Sequence, residues 1–557
     1  MPADKFDFII IGAGPSGSSL ASRLAHQKSK PSVLLLEAGG KNDDPAFAIA
    51  SERHLFWAKN GLQLDYGYKT IPQTALNGRQ LSYHRGKGLG GSSATNLGLW
   101  DYGSKPEYDE WARLVGSSDW LWENVSQRMK KLENHCDATP SKFHKYVHAE
   151  PGSHGTGGPV NVQLGSAWDK FLPRILEAVE DHGFALNPDV NSDQCIGFGI
   201  PPSTVVGASR VTAANAYLTD RPENLTILTH STAARIIFEN KRAIGVEVVQ
   251  DSHYANKEVF LCSGSIDTPK LLLLSGVGPA EQLATLGIPV ILDQPAIGQN
   301  LNDHPMIRIA AKVDMVAADL PIHEEVHTGI RKEGLEKQVT PVSEDVVGTC
   351  HGYCKLDLAS CPEFKDIDPT MQKHLSDPLT PAFELVSRIT PIPQAEGFLW
   401  NATVVIMNSL SRGRVFLRSR NVNDPPEVDL NFLAEPIDIW ATTAAVRESV
   451  RLLTDSKVIP TDGLAVGPKS CNNVDILEFI RSNLSHLWHA CGTIKMGKES
   501  DPSTCVTPDF RVVGLSGLRV VDMSVVPIIP SNHTQSTAYL IGETAADKII
   551  AEYNLDI

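Results

Sequence analysis

The sequence contains no apolar run of about 18 residues, the length that a membrane-spanning helix needs, so we expect no membrane partner. Positive charge is in deficit: 50 lysines and arginines stand against 65 aspartates and glutamates, which gives a net charge of −15. This balance argues against a nucleic-acid partner. The sequence also lacks internal repeats and low-complexity tracts, so a repeat architecture is excluded.

Cysteine is too sparse and too scattered for a structural role. The nine cysteines are odd in number and none has zinc spacing; the nearest approach to a cluster is Cys350, Cys354 and Cys361. We therefore expect free thiols in a reducing compartment and no metal site. The first five residues lead directly into an apolar strand, which leaves no room for a signal peptide and predicts a cytoplasmic protein.

Length and composition describe an ordinary globular protein. Apolar residues make up 42% of the sequence and charged residues 21%. A chain of 557 residues is too long for one hydrophobic core, so we expect two or more domains.

The strongest local signal lies near the start of the chain. Phe8–Ile11 is continuously apolar, as a parallel strand covered on both faces would be, and Gly12, Gly14 and Gly17 follow in a G-x-G-x-x-G pattern. A helical run and a second apolar strand come next, and that strand ends at Glu37, 20 residues after Gly17. The pattern predicts a dinucleotide site, with the pyrophosphate at the helix N-terminus and Glu37 on ribose hydroxyls.

A second glycine-rich stretch, residues 86–98, contains too many small residues to build a core. It suits backbone laid against a flat ligand, with its amide groups exposed to that ligand. The alternative is a flexible linker, but Leu89, Leu97, Leu99 and Trp100 are too apolar for a solvated one.

Secondary structure can be predicted for most of the remaining chain, but not for residues 310–400. Helices are predicted over 105–135, 168–182, 444–454 and 538–553, and another begins at Pro269 with Thr268 as its cap. Strands are predicted over 227–230, 236–238, 243–248, 258–262, 403–407 and 413–417. The second and third of these are joined by a turn at residues 240–241. Residues 310–400 show little periodicity, and we expect surface insertions or lid loops between 318 and 373.

These motifs, in this order, resemble the glucose–methanol–choline (GMC) flavin oxidoreductases nearly from end to end. Residues 12–17 with Glu37 are similar to the family's ADP-binding motif, and residues 86–96 are similar to its first signature. Residues 264–278 fit the second signature. Further matches lie at residues 298–304, at 411–415 and at the strand 517–522. One glycine motif would be weak evidence, but the ordered set is strong.

The resemblance implies an α/β fold of two domains. A Rossmann-like FAD-binding domain is expected from residues 1–158, 205–308 and 480–557. A substrate domain, an antiparallel β-sheet backed by helices, is expected from residues 159–204 and 309–479. The cofactor implied is FAD, bound non-covalently, because Thr95 occupies the position where some members attach the flavin through a histidine.

By the same resemblance, one set of residues is expected to contact FAD. Ala233 would lie near the adenine, and residues 96–98 would line the flavin, where Leu97-Gly98 replaces the commoner Gly-Met order. The expected FAD contacts are Gly12, Gly14, Pro15, Ser16, Gly17, Glu37, Ala38, Arg85, Gly86, Gly91, Ser92, Asn96, Leu97, Gly98, Leu99, Ala233, Ser263, Asp522, Met523, Asn532, His533 and Thr534.

Alcohol oxidation needs a hydride acceptor and a proton acceptor, and histidine has a suitable pKa for the latter. His489 stands where the family carries its catalytic base. His533 stands where the family places a second His or Asn, and it would steady the developing alkoxide. The neighbouring Asn532 is also expected to be a catalytic residue. His84, His304 and His486 are interpreted as structural.

The leading hypothesis is an FAD-dependent oxidase or dehydrogenase of a small primary alcohol, an aryl alcohol or the alcohol of a secondary-metabolite scaffold being the candidates. The electron acceptor is oxygen or another molecule. A lyase of the same fold, of the hydroxynitrile lyase or photodecarboxylase type, is the alternative. A scaffold that has lost its chemistry is a third reading, although intact histidines and glycine loops argue against it.

Overall fold

The computed structural model describes residues 5–43, 64–137, 139, 143–164, 171–207, 209–249, 251–314, 349–392 and 395–557. The α-helices in this part of the chain are α1 Pro15–Ala25, α2 Lys105–Val115, α3 Trp122–Leu132, α4 Leu172–Asp181, α5 Ala213–Tyr217, α6 Gly264–Leu274, α7 Ala280–Thr285, α8 Pro369–Ser376, α9 Pro436–Asp455, α10 Asn473–Asn483 and α11 Gln535–Tyr553. The 3₁₀ helices are Thr74–Leu76, Gly91–Ala94, Ser118–Trp120, Leu358–Ser360, Pro362–Asp366 and Met523–Val525.

The strands are mostly short. In chain order they are β1 Lys5–Ile11, β2 Val33–Leu36, β3 Tyr68–Lys69, β4 Ser82–Tyr83, β5 Glu133–Cys136, β6 Val160–Gln163, β7 Gly197–Gly199, β8 Val205–Val206, β9 Ser209–Arg210, β10 Leu225–Leu228, β11 Ala233–Glu239, β12 Arg242–Val248, β13 Asp251–Leu261, β14 Val277–Gly278, β15 Leu292–Asp293, β16 Pro305–Val313, β17 Cys350–Cys354, β18 Phe383–Pro391, β19 Phe398–Ile406, β20 Arg414–Phe416, β21 Glu427–Asp429, β22 Thr461–Val466, β23 Ser485–His486 and β24 Leu518–Val520.

A seven-stranded sheet carries the dinucleotide motif. Its parallel part has the order β10-β2-β1-β13-β24, and β12 and β11 extend it as an antiparallel excursion from β13. The connection reverses direction between β1 and β13, so the Gly12 turn lies at the switch point, where ligands bind in open α/β sheets. The predicted excursion over 236–248 is confirmed, with its turn at residues 240–241.

A second, antiparallel sheet has the order β22-β16-β19-β18-β17-β7, and β23 pairs with β16. Helix α9 packs on β16, β19 and β22, and α4 packs on β7, β17 and β18. Alternate residues such as Leu385 and Val404 lie in the core under these helices, while Glu384 and Val405 lie on the opposite face. The predicted fold class, a Rossmann-like domain plus an antiparallel sheet backed by helices, is therefore confirmed.

The strand pairing crosses two of the predicted domain boundaries. Strand β16 begins at Pro305, before the predicted boundary at 308, and β23 lies after the predicted boundary at 480. The stretch 310–400 contains β17 and β18, two central strands that the sequence pattern did not reveal. The predicted helix start at residues 168–170 and most of the expected lid loops lie outside the described residues. Among the described residues, no helix is both long and apolar enough to cross a bilayer.

Helix α6 begins at Gly264, so the prediction that it begins at Pro269 with Thr268 as its cap was wrong. A proline inside a helix leaves the carbonyl four residues earlier without its usual donor. That carbonyl, of Ser265, accepts a hydrogen bond from the Thr493 hydroxyl at 2.7 Å. The Thr268 hydroxyl donates to Asp522 at 2.6 Å instead of capping the helix.

The two ends of the described chain meet in the first domain. Helix α11 packs along α1, the Ser16 hydroxyl donates to the carbonyl of Ala538 at 2.6 Å, and Arg23 pairs with Glu543 and Asp547. Strand β24, from the same C-terminal part, supplies the outer parallel strand beside β13.

Candidate active site

The first glycine turn has the shape that a pyrophosphate requires. A Cβ atom on Gly12 would lie 2.4 Å from the carbonyl oxygen of Cys262, and one on Gly17 would lie 2.0 Å from that of Gly12. Both positions therefore need glycine for packing. A Cβ on Gly14 would meet nothing within 4 Å, so this residue borders open space at the N-terminus of α1, where no side chain caps the helix.

Glu37 fastens the two glycine loops together. Its Oε2 accepts the N–H of Ala13 at 2.9 Å, and its Oε1 accepts the N–H groups of Gly39 and Gly88, also at 2.9 Å. A carboxylate has about four acceptor positions, so three are used by backbone and one remains for a ribose hydroxyl. The sequence had suggested only the ribose contact.

Other residues predicted to contact the nucleotide gather around this turn. Ala38 follows Glu37, Ser263 donates to the carbonyl of Ile11 at 3.2 Å, and Ser92 accepts the N–H of Gly86 at 3.2 Å. A Cβ on Gly91 would lie 2.7 Å from Cα of Gly14. Ala233 begins β11, shortly after backbone hydrogen bonds from His230 and Ser231 to Gly39 and Glu37.

The residues predicted to line the flavin form a second group. Asn96 donates to the Gln535 side chain at 2.8 Å, and Gln535 donates to the carbonyl of Leu99 at 3.2 Å. Leu97 is 48% exposed, and Gly98 adopts a left-handed φ of 77°. Thr534 directly precedes α11, so the predicted flavin-lining loop and the start of that helix lie together.

Asp522 is committed mainly to protein contacts. Its Oδ2 accepts from the N–H of Gly264 and the hydroxyl of Thr268, and its Oδ1 accepts from the N–H of Ser524. It therefore ties the start of α6 to the turn at Met523, whose carbonyl accepts the N–H of Gly492 at 3.1 Å. Its predicted contact with FAD stays a prediction.

His489 lies in a partly exposed position and contacts another histidine. The Nδ1 atoms of His489 and His304 are 2.8 Å apart, so one ring donates and the other accepts. Burial, reinforced by His304 and His533, lowers the pKa of His489 well below its ordinary value, and burial lowers the pKa of His304 to about 3. Both rings are therefore neutral at neutral pH.

The hydrogen bond has two possible directions. His304 Nε2 is buried and has no hydrogen-bond partner among the described residues, so no other contact fixes the tautomer of this ring. In the tautomer in which His304 Nδ1 accepts, His489 Nδ1 carries the proton and His489 Nε2 is left as a base. His304, interpreted from the sequence as structural, lies against the residue predicted to be the base.

Asp303 accepts hydrogen bonds from the backbone of both His304 and His489. Its Oδ1 accepts the backbone N–H groups of His304 at 2.7 Å and His489 at 2.9 Å, and its Oδ2 accepts the Tyr83 hydroxyl. Burial raises the pKa of Asp303 to about 6, and these hydrogen bonds limit the rise. Arg85 fixes the same loop by donating to the carbonyl of Trp488 at 2.7 Å.

His533 faces His489, with ring centroids 5.2 Å apart and the planes nearly perpendicular. Its Nε2 donates to Oε1 of Glu384 at 3.1 Å. Burial alone would lower the pKa of His533, but the charge of Glu384 and this hydrogen bond raise it to about 9. Burial opposes ionisation of Glu384 as well, yet His533 and His351 hold the pKa of its carboxyl well below the ordinary range.

The structure does not bring the Asn532 side chain to the two histidines. Asn532 is fully buried, and its Nδ2 donates to the carbonyl of Tyr102 at 3.0 Å and contacts Thr537 Oγ1 at 2.9 Å. It packs the loop before α11 against residues 101–102. Asp101 positions the next residue by accepting the N–H of His533 at 2.8 Å. The predicted catalytic role of Asn532 stays a prediction.

Apolar side chains surround the histidine pair on the sheet face opposite the helices. Met306, Tyr353, Val405 and Met407 form a buried cluster, against which Ile196, Leu487 and Trp488 pack. Trp488, immediately before His489, has a left-handed φ of 60°, a conformation that non-glycine residues seldom adopt. Together these side chains form an apolar and aromatic wall beside the two histidines.

Two further histidines, interpreted from the sequence as structural, contact backbone groups or a buried carboxylate. His486 is buried, with Nε2 against the carbonyl of Ser82 at 3.1 Å and Nδ1 accepting the N–H of Trp488 at 3.3 Å. His84 contacts Asp65 at 2.5 Å. His351, Glu384 and His533 lie close enough to hold a metal ion, but hydrogen bonds already link all three.

Reasoning from the sequence missed His304, Asp303, Glu384 and His351. The first two lie inside the motif at 298–304, so a buried acid beside a histidine was a usable signal. Glu384 and His351 come from β18 and β17, where strand pairing brings them to one face. No sequence spacing links them to His533.

A dinucleotide fold joined to a second sheet, with two histidines facing each other, fits an oxidoreductase that uses a dinucleotide cofactor. Comparison with known proteins gives the family: the GMC oxidoreductase family models match residues 6–306 and 409–542. The chain belongs to the GMC oxidoreductases, which bind FAD, and the open space at Gly14 and the remaining acceptor position of Glu37 fit that cofactor.

Relatives match over nearly the whole chain. It is 30% identical to the dehydrogenase pkfF of Emericella nidulans, over 98% of this chain and 93% of that protein. It is 32% identical to an oxygen-dependent choline dehydrogenase of Rhizobium etli, over 99% and 96%. An FAD-dependent oxidoreductase from Chaetomium thermophilum has a similar structure, with a TM-score of 0.84 at 26% identity over 99% of this chain and 100% of the other.

Proposed function

We propose that this chain oxidises a primary alcohol to the aldehyde, with His489 as the base and His533 as the group that holds the reacting oxygen. The observation that carries the proposal is the pair of facing imidazoles, whose pKa values are moved in opposite directions by their surroundings. Two titratable groups separated in this way form an acid and a base.

Each side chain then has one task. FAD, when bound, supplies the hydride acceptor. His489 Nε2 accepts the hydroxyl proton in the tautomer in which His489 Nδ1 donates to His304. The imidazolium of His533 donates to the same oxygen and stabilises the charge that develops there, and Glu384 keeps it protonated. The apolar wall excludes water from the pair.

The wall also supports a substrate class. Trp488 is a partly exposed member of this cluster and offers an aromatic contact to an uncharged body, whereas Met306, Val405 and Met407 are buried. Both imidazoles bind Oε1 of Glu384, and Oε2 has no hydrogen-bond partner among the described residues; the side chain is 0% exposed, so burial keeps this carboxylate from a cationic substrate. An aryl alcohol, or the alcohol of an apolar secondary metabolite, fits these contacts. Oxygen or another molecule would take the electrons.

The test is the visible spectrum of the purified protein under anaerobic conditions, before and after adding aryl, aliphatic, amino and sugar alcohols. Bleaching of the flavin bands by aryl alcohols is the expected result, and the speed of recovery in air separates an oxidase from a dehydrogenase. His489→Asn should keep the flavin bands and lose about 10²- to 10⁴-fold in bleaching rate. His148→Asn, at a side chain that is 37% exposed, is the matched control.

A second result would reject the proposal. If no alcohol bleaches a fully loaded flavin, redox chemistry on alcohols fails, and cleavage of hydroxynitriles or light-driven decarboxylation becomes the reaction to assay. Flavin bound so firmly that acid precipitation does not release it would contradict the non-covalent binding that Thr95 predicts.

A further inference from the structure

A second buried carboxylate, that of Asp101, contacts the backbone of His533. Asp101 is 2% exposed; its Oδ1 accepts the N–H of His533 at 2.8 Å, and its Oδ2 accepts the hydroxyl of Tyr353. Tyr353 belongs to β17 of the second sheet, and its ring lies in the buried cluster beside the two histidines. Asp101 therefore connects the second sheet to the residue that faces His489.

The backbone of Asp101 contacts the same loop on both sides of His533. Its carbonyl oxygen accepts the hydroxyl of Ser536 and lies 3.4 Å from Nδ2 of Asn532. Together with the bond to the N–H of His533, these contacts restrict the backbone from which the His533 ring extends.

The segment that carries Asp101 is anchored in turn. Asn191 Oδ1 accepts the N–H of Tyr102 at 2.9 Å, and Asn191 Nδ2 donates to the carbonyl of Trp100 at 3.1 Å. The Trp100 indole donates to Glu133 at 3.0 Å, and all of these residues are buried. The neighbours on both sides of Asp101 are thus fixed, as a group that positions another requires.

Position alone does not require a carboxylate at residue 101. An amide could accept the N–H of His533 with its oxygen and donate to the Tyr353 hydroxyl oxygen with its nitrogen. A buried carboxylate costs more free energy than an amide unless a cation stabilises it. Burial raises the pKa of Asp101, and the charge of His533 and the hydrogen bond from Tyr353 oppose this rise. The charge of Asp101 and the charge of His533 therefore stabilise each other.

Proton transfer to His489 adds a second cation to the reaction centre. The ring of His489 then carries a positive charge with its centroid 5.2 Å from that of the cationic His533. Like charges repel more strongly in a buried site than in water, and the Glu384 carboxylate can neutralise only one of the two. A second carboxylate bound to His533 lowers the free energy of this state.

We propose that Asp101 is a positioning residue that holds the backbone of His533 and also supplies the second negative charge of the reaction centre. Tyr353 holds the Asp101 carboxylate in this arrangement. The inference rests on the proposed function, in which His533 binds the reacting oxygen.

Other ionisable side chains interact with His533 or with Asp101. They approach from several elements and differ in charge, so each is left unchanged in the variants of Asp101. Those that interact with His533 are Glu384, His351, His489 and His304, and Tyr108 interacts with Asp101.

The first measurement needs no substrate. In FAD-loaded protein labelled with ¹⁵N in its histidine rings, NMR follows the titration of His533. Asp101→Asn keeps the size of the side chain and removes its charge, so it should lower the pKa of His533 by about one unit. Tyr353→Phe keeps the charge and should change this pKa less. Asp438 is the matched control, because it is buried and also accepts backbone N–H groups and a hydroxyl. Asp438→Asn should leave the titration of His533 unchanged.

The second measurement uses an alcohol that bleaches the flavin, and follows the rate of a single anaerobic turnover against pH. In Asp101→Asn the high-pH limb, expected at about 9 in the wild type, should move down by the shift that NMR measures. The rate below this limb should fall roughly tenfold, because the second cation is less well stabilised. Tyr353→Phe should lower the rate and leave the limb in place.

The outcomes separate this role from a structural one. A His533 titration that is the same in Asp101→Asn and the wild type overturns the proposal, even if the variant is less stable, because stability alone is the structural result. Asp101→Ser, which is neutral and can still accept the N–H of His533, replaces Asp101→Asn if the latter does not fold, and must give the same fall. Failure of every alcohol to bleach the flavin refutes the proposed function instead, and the NMR titration still decides the role of Asp101.

Discussion

Replacing Glu384 by glutamine removes one charge from the reaction centre and almost no volume. Glu384 is the reason that the pKa of His533 stands at about 9 although the ring is buried. The difference between that value and the ordinary value of about 6.5 corresponds to about 3 kcal/mol in favour of the imidazolium. In Glu384→Gln burial and the smaller opposing effect of the Asp101 charge remain, so we expect the pKa of His533 to fall below 6.5 and the ring to be neutral at pH 7.5.

The assay is the pH dependence of flavin bleaching in a single anaerobic turnover. Wild-type protein should lose rate as the pH rises through about 9, where His533 loses its proton. In Glu384→Gln this limb should move below pH 6.5, and the rate at pH 7.5 should drop roughly 10²- to 10³-fold, as it does when a charged donor to a developing oxyanion is removed.

Stability should change in the same sense. A pKa raised in the folded state stabilises the protein fully below the unfolded value of about 6.5, and this contribution disappears as the pH rises through about 9. Urea unfolding of the wild type at pH 6 and pH 10 measures the loss, which should vanish in Glu384→Gln. Glu448→Gln is the matched control, because Glu448 contacts His182 at 2.8 Å, with its side chain 34% exposed. A high-pH limb that stays near 9 in Glu384→Gln would refute the reasoning.

Three further predictions test the cofactor cradle, the base and helix α6. Gly14→Ala should leave the melting temperature unchanged and weaken FAD binding, measured by flavin fluorescence, at least tenfold. Gly17→Ala should lower the free energy of unfolding by about 1–3 kcal/mol, because its Cβ has no room. Equal changes in stability and FAD binding in the two variants would contradict this account. His304→Phe removes the acceptor for the Nδ1 proton of His489 and should slow flavin bleaching about tenfold with FAD content unchanged; an unaltered rate would show that the tautomer is set elsewhere. Thr493→Val leaves the Ser265 carbonyl without its donor and should lower the free energy of unfolding in urea by about 1–3 kcal/mol. An unchanged free energy of unfolding would show that water replaces the hydroxyl.

Much of the first domain could be predicted because its signals are local. A strand, a glycine turn and a helix follow one another within 25 residues, and continuous apolar runs mark the parallel strands. The central strands β17 and β18 gave no such signal. Their alternate positions carry His351, Tyr353 and Glu384 toward the site instead of solvent-exposed polar residues, so the usual alternation of buried and exposed residues is absent.

The same reason limits what could be predicted of the site. His489 and His533 follow from their motifs and their rings face each other, while the roles predicted for them stay predictions. The contact of Glu384 with His533 could not be predicted from the sequence. It depends on the register of the sheet and on how α11 packs, and the number of residues between the two side chains determines neither. Thr268 was misread because a Thr-Pro pair usually starts a helix, whereas here Asp522 and Thr493 allow the helix to run through it.

The pairing of α1 with α11 has a consequence for how the protein is made. At about 5–20 residues per second, a ribosome needs roughly half a minute to two minutes to produce 557 residues. During that time β1 and α1 are already outside the tunnel, but α11, which packs along α1, and β24, which pairs with β13, do not yet exist. The apolar residues Leu20 and Leu24 must stay protected until the last fifty residues emerge. Chaperones that hold nascent chains, and FAD available at the moment of release, should therefore control the yield of active protein more than the stability of the finished fold.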